Sequence, residues 1–339
     1  MRCPKRCVLR GLVVGVALAA LTLGGCQRSD VQRVVLYCAQ DREYAEELLA
    51  DFTRTTGIAV DLRGDTEANK SVGLTAALLR EKEQPRCDVF WNNEPLNTLR
   101  LDAAGVLAEY RSPNAVDFPE WTRGPTWQAF AARARVLVVR KEMPAADRPK
   151  TLAELTTPAW QGRFTMAKPF FGTTATHSVC LYHALGPEPA RKLFTELAER
   201  ATVLAGNRDV AEAVAAGRFD VGLTDTDDVV VLIRKGHGVE IIYPDQDGEG
   251  TLFLPNMLSL IRGAPNAEAG KKLIDFLLHP ETERRLAEGP SAQIPLNPKV
   301  RAKLEISTPA EVKAWPVDFA AAVREWDAAQ AMLRDLFAR

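Results

Sequence analysis

Three short apolar runs, each followed by a stretch of helical spacing, fill the region from Arg33 to Ala104. Arg33-Val34-Val35-Leu36-Tyr37-Cys38 reads as a strand covered on both faces, because its apolar, β-branched character is nearly continuous. From Asp41 to Thr55, Tyr44, Leu48, Leu49 and Phe52 fall on one helical face, and Gly57 ends the helix. Ile58 to Leu62 predicts a second strand, and Ser71 to Lys82 a helix with Leu74, Leu78 and Leu79 inward. Asp88-Val89-Phe90-Trp91 predicts a third strand, and Glu94 to Ala104 another helix. Such alternation with short connections makes a parallel sheet with crossover helices. Ligands of these sheets lie beyond the carboxyl ends of the strands. That rule directs attention to Ala39–Arg42, to Asn92–Glu94, and to later strand ends facing them.

Pro113 to Trp127 is rich in proline and aromatic residues and reads as loop. After the strong strand Ala134–Val139 the pattern restarts. A short helix at Leu152–Leu155 and a strand at Arg163–Met166 lead to a helix opened by Gly172-Thr173-Thr174 and running to Ala184. Helices follow at Pro189–Glu199 and at Asp209–Ala216, the latter closed by Gly217. Asp220–Thr224 is a strand that ends in Asp225-Thr226-Asp227-Asp228. Asn256–Ile261 is a returning strand, Ala267–Leu278 a helix, and Pro309–Arg339 a helical tail. Two α/β units joined by two chain crossings form a hinged, two-lobed clamp, each lobe a mixed sheet flanked by helices. The expected boundaries are 33–132 plus 254–300 for lobe 1, and 133–253 plus 301–339 for lobe 2.

Formal net charge is -1, so no strong field favours nucleic acid or anionic lipid. Residues 1–25 read as a signal peptide: Arg2, Lys5, Arg6 and Arg10 precede an apolar run from Gly11 to Leu23. That run is shorter than the roughly 20 residues of a membrane span. Leu23-Gly24-Gly25-Cys26 resembles a lipobox, which implies lipidation of Cys26 and attachment to a membrane through lipid alone. A plain signal peptide with an incidental Cys26 is the simpler alternative. Cys38, Cys87 and Cys180 remain in the mature chain and are expected as buried thiols.

Several segments, in this order, carry a family resemblance: Val34-Val35-Leu36-Tyr37; Phe52 to Ile58; Cys87-Asp88-Val89-Phe90-Trp91-Asn92-Asn93-Glu94; Arg133-Ala134-Arg135-Val136; Pro158 to Arg163; Lys272 to Leu277; and Ile294-Pro295-Leu296-Asn297-Pro298. Together they resemble the ferric-iron-binding branch of the periplasmic solute-binding proteins of ABC importers, of type II fold. The resemblance implies a monomeric, extracytoplasmic binding component on the periplasmic or outer face, not an enzyme, that feeds a permease and its ATPase. Iron-binding members use a histidine and a glutamate from one lobe, two adjacent tyrosines from the other, and often a synergistic anion. Here the glutamate position holds Glu94 and the histidine position Asp41, while Asp227 and Asp228 stand at the tyrosine pair. Gly172, Thr173 and Thr174, at a helix start, match the anion region, and Asn207 matches a polar anion contact.

The expected cleft therefore offers Asp41, Glu94, Asp227 and Asp228 to a cation, with Asp225 and Thr226 adjacent. Clustered carboxylates repel unless a cation lies between them, and their oxygens suit Fe3+ or another hard ion. An amine- or phosphate-bearing organic solute is the alternative ligand. Local readings compete at each position. Asp41, Asp225, Asp227, Asp228, Thr173 and Thr174 could only cap helices, and Glu94 could only meet a helix dipole. His177, His183, His237 and His279 have no metal-site spacing. Neither a G-x-S-x-G elbow, a P-loop, a G-x-G-x-x-G turn nor a zinc motif is present, which argues against an enzyme. A sensor domain for a separate signalling partner is a further reading.

Overall fold

In the computed structural model, which describes residues 32–65 and 71–338, the first apolar run forms strand β1 (Arg33–Cys38). The signal segment and Cys26 lie outside the described residues. Helix α1 (Arg42–Thr56) buries Tyr44, Ala45, Leu48, Leu49 and Phe52, the face expected from its spacing. It ends at Gly57, which adopts φ 72°. Strand β2 (Ala59–Gly64), helix α2 (Val72–Arg80), strand β3 (Val89–Asn92) and helix α3 (Pro95–Ala103) complete the alternation. β1 pairs in parallel with both β2 and β3. A two-residue strand β4 (Leu107–Ala108) follows.

Strand β5 (Gln128–Arg140) is 13 residues long and begins six residues before the expected start. Its early part, Phe130-Ala131-Ala132-Arg133-Ala134, lacks the β-branched residues that announce a strand. The second half contains strand β6 (Phe164–Ala167), helices α4 (Gly172–Leu185) and α5 (Pro187–Arg200), strand β7 (Ala201–Leu204) and helix α6 (Asn207–Ala215). Strand β8 (Val221–Asp225), helix α7 (Thr226–Arg234), strand β9 (Val239–Ile242) and strand β10 (Phe253–Ile261) come next. Helices α8 (Ala267–Leu277), α9 (Pro280–Glu288), α10 (Phe319–Ala322) and α11 (Trp326–Phe337) close the chain.

The strands bond in the order β2-β1-β3-β10-β5-β8-β6-β7, with β4 beside β10 and β9 beside β5. β5 belongs to both halves. Gln128–Ala134 pairs with β10, and Arg135–Arg140 pairs with β8 and β9. This shared strand is the physical link between two lobes, each with its own apolar core. The chain bends there: Ala131 has φ 40°, and the β5–β10 register shifts between Pro255 and Asn256. Glu283 pins the bend by accepting from the backbone N–H groups of Ala131, Leu296 and Asn297. Burial nevertheless pushes its carboxyl up, against those three donors.

Four elements were not legible in the sequence: the two-residue β4, β7, β9 and α9. β7 and β9 are half-exposed four-residue strands, and α9 (PETERRLAE) is strongly charged. The tail is helical only from 319 to 337, with a 3-10 turn at 323–325 joining its two α-helices; Pro309 and Pro316 stand in the non-helical stretch before it. α11 packs Trp326, Met332 and Leu333 into the core of the second lobe. Cys38, Cys87 and Cys180 are buried, as expected.

One glycine sets the position of α6. A Cβ on Gly222 would lie 2.5 Å from a methyl of Val210 and 3.1 Å from one of Val214. Only glycine lets α6 lie this close on β8, and that closeness places Asn207 beside the end of β8.

Candidate functional site

The carboxyl ends of β1, β3, β6 and β8 meet around one small cleft. Asp41 and Asn93 line it from the first lobe; Lys168, Gly172, Thr173, Thr174, Asn207, Asp225, Asp227 and Asp228 line it from the second. Arg133, on the shared strand, forms part of the same wall. The enclosed volume is about 20 Å3, room for about one water-sized body. Any larger solute requires the lobes to part.

Each acidic residue is held in a specific way. Asp225 is the N-cap residue of α7 by position but makes no side-chain capping bond. Its carboxylate instead meets Arg135 Nη1 at 2.7 Å and accepts from Thr173 Oγ1 at 2.5 Å and Asn207 Nδ2 at 3.0 Å. Asp227 lies 3.4 Å from Arg133 Nη1, and Asp228 accepts from Thr224 Oγ1 at 3.0 Å. Oxygens of Asp225, Asp227 and Asp228 lie within 4.8 Å of one another, a spacing that one cation could bridge. Asp41 also makes no capping bond with its side chain; it reaches across the cleft to Arg208 Nη2 at 2.9 Å.

Reasoning from sequence missed the arginines. Arg133 and Arg135 are 2% and 0% exposed, two residues apart on β5 and so on one face of it. Three of the carboxylates pair with arginines, Asp41 with Arg208, Asp225 with Arg135 and Asp227 with Arg133, and Lys168 lines the same cleft. Mutual repulsion of the acids is thereby relieved within the protein itself. Burial alone would lower the Arg133 guanidinium, but Asp227, then Asp225, Asp41 and Asp228, outweigh it and raise it. The available signal was two arginines at i and i+2 inside an otherwise apolar strand, where a charge must find a partner. Tyr44 was also passed over. Burial first, then Asp227 and Asp228, push its phenol up, so it stays protonated beside those carboxylates.

Two of the expected site residues do not line the cleft. Glu94 is 0% exposed and caps α3, accepting from the N–H groups of Leu96 and Asn97. It also accepts from Ser71 Oγ, Asn92 Nδ2 and, across the lobes, Thr176 Oγ1. All this uses up its lone pairs, so it works as an interlobe fastener. Thr226 is 0% exposed and accepts from the Ala134 N–H at 3.1 Å, tying α7 to β5. Replacing Glu94 by alanine is expected to destabilise the protein by about 2–3 kcal/mol in urea unfolding, from the lost cap and the orphaned donors.

The anion-type positions do converge. Gly172, with φ 54°, opens α4. The N–H groups of its first turn have no partner within the helix. Thr174 Oγ1 donates to Asn207 Oδ1 at 2.9 Å, which fixes α4 against α6. Among the described residues, Gln40 Nε2, Asn93 Oδ1, Arg133 Nε, and Arg135 Nε and Nη2 are buried without a hydrogen-bond partner. Such orphans are rare in folded proteins and mark a place where another molecule can complete the bonding.

His177 lies outside this cleft, its ring 6.3 Å from that of Trp315. Burial first, and Arg135 second, hold its imidazole well below the usual range. A base whose folded-state pKa is lowered contributes stability that is present above the unfolded pKa, near 6.5, and lost as pH falls below it. The Tm is therefore expected to fall between about pH 7 and pH 5, and His177→Phe is expected to remove part of that fall.

Comparison with known proteins decides the family. Residues 34–288 match the family described as bacterial extracellular solute-binding protein. The chain belongs to this family. The binding protein is 26% identical over 310 residues to the major ferric iron-binding protein of Neisseria meningitidis, covering 87% of this chain and 89% of that one. It is 25% identical over 258 residues to a putative 2-aminoethylphosphonate-binding periplasmic protein of Salmonella typhimurium, covering 70% and 69%. The ferric binding protein from Campylobacter jejuni superposes with a TM-score of 0.81 at 20% identity, covering 90% of this chain and 99% of that one. That likeness establishes the two-lobed type II architecture.

Proposed function

We propose that this is the extracytoplasmic capture component of an ABC importer, and that its cargo is a hard, iron-like cation bound together with an anion between the lobes. One observation carries the reading: three carboxylates with oxygens within 4.8 Å of one another stand beside two buried arginines and an open helix start. Carboxylate oxygens suit a hard cation, and the guanidinium donors and first-turn N–H groups suit its anion. Asp227 and Asp228 replace the paired tyrosines of iron-binding relatives, so oxygen ligation is kept while phenolate is lost. Closure then joins Asp41 on the first lobe to the second-lobe cluster, and capture requires tighter binding to the closed form. No step in this scheme breaks a bond in the cargo, so the reading is of a binding protein and not an enzyme. Docking to a permease and its ATPase, and a lipid anchor at Cys26, complete the proposal.

Arg133 favours one second reading, a zwitterionic solute such as an aminophosphonate, with its anion on Arg133 and the first-turn N–H groups of α4 and its amine on Asp227 and Asp228. Thermal-shift titration of the mature protein separates the two. Ferric citrate, other metal ions and 2-aminoethylphosphonate are added in parallel. The cation reading expects the largest rise in Tm with iron. A rise with the aminophosphonate and none with any metal would replace it with the second reading.

A further inference from the structure

A second cavity of about 460 Å3 lies in the second lobe, away from the cleft just described, and within the size range of small-molecule sites. Its walls are the α4 and α5 surfaces, the turn from Pro244 to Leu252, and Trp315. Leu152, Leu181, Leu193 and Leu252 make most of the lining apolar, and Arg135 is the buried charge that lines it.

Arg135 spans two sites. Its Nη1 is engaged at the cleft by Asp225, Thr173 and Asn207. Its Nε and Nη2, the edge that binds a carboxylate with two parallel bonds, have no hydrogen-bond partner among the described residues. Along α4, Thr173, His177, Leu181 and Ala184 follow one helical stripe. That stripe begins at the cleft, passes Arg135 and ends in the cavity. An orphaned, fully buried guanidinium edge beside an apolar chamber is costly unless something accepts from it. The other charged lining groups, Lys192, Glu196, Asp245 and Glu249, are half-buried or exposed, so they set the character of the outer part and not of the buried end.

We infer that this cavity is a second ligand site, which takes a small organic carboxylate with an apolar body: the carboxylate on Nε and Nη2 of Arg135, the body among Leu152, Leu181, Leu193 and Trp315. It uses a different edge of Arg135 from the Nη1 held at the cleft by Asp225.

The probe is octanoate, titrated calorimetrically into the mature protein, with 1-octanol and octylammonium as head-group controls. Saturable one-to-one binding of octanoate is expected, at least about tenfold tighter than either control, the worth of a charge-assisted pair. Intrinsic tryptophan fluorescence should change with the same midpoint, and Trp315→Phe should remove that change. Leu193→Trp, which fills the cavity without touching the cleft, should abolish octanoate binding and leave the response to cleft cargo intact. Equal binding of all three probes would overturn the carboxylate assignment. Binding that survives in a folded Leu193→Trp protein, or no binding at millimolar octanoate, would overturn the site.

Discussion

Asp225→Ala is expected to cost about 3–5 kcal/mol of stability, because it leaves the Arg135 guanidinium buried and without its counter-charge. Arg135 is 0% exposed, so neither water nor salt screens the loss. Thr173 and Asn207 lose their shared acceptor at the same time. Urea unfolding should show a lower midpoint with an unchanged slope, since the native surface is otherwise retained. At roughly 2 °C per kcal/mol for a chain of this size, Tm should drop by about 6–10 °C. The double variant Asp225→Leu with Arg135→Met should recover most of that loss, because removing a buried pair costs far less than breaking it. A drop under about 1 kcal/mol would show that the pair is solvated or differently arranged.

The second large effect concerns cargo. Asp227→Asn with Asp228→Asn keeps size and shape but removes two negative charges from the three-carboxylate cluster. Affinity for ferric iron should fall at least about 100-fold, equivalent to about 3 kcal/mol. Titration against a competing chelator measures it. Fold stability should change far less than in Asp225→Ala. Asp227 lies 3.4 Å from Arg133, whose Nη2 is also held by Gln40 Oε1 at 2.6 Å and Asn256 Oδ1 at 3.0 Å. An unchanged affinity would remove these carboxylates from the site.

Much of the architecture was legible because it rests on local pattern. Short apolar runs gave β1, β3 and β8, and the one-sided spacing of Tyr44, Leu48, Leu49 and Phe52 gave α1. Elements without a strong apolar signature were hidden: β7 and β9 at half-exposed positions, α9 in charged sequence, and the alanine-rich start of β5. The site was legible to the extent that strand ends mark it. Asp41, Thr173, Thr174, Asn207, Asp227 and Asp228 do gather there. Glu94 and Thr226 do not, because local geometry claims their side chains first, one as a cap and one as a bond to β5. The arginines escaped notice for the opposite reason. Their partners lie some 90 residues away in the chain, so no local pattern connects Arg133 with Asp227 or Arg135 with Asp225. That omission mattered, since acids already balanced by arginines do not call for a cation through repulsion alone. What still favours one is the convergence of their oxygens, together with the anion donors beside them.

Native mass spectrometry of the mature protein, loaded with ferric citrate and desalted, reads the content of the cleft directly. One iron and one anion per chain are expected, both absent from the Asp227→Asn, Asp228→Asn variant. A metal-free mass carrying an organic solute, or iron retained in full by that variant, would contradict capture of a hard cation at this cluster.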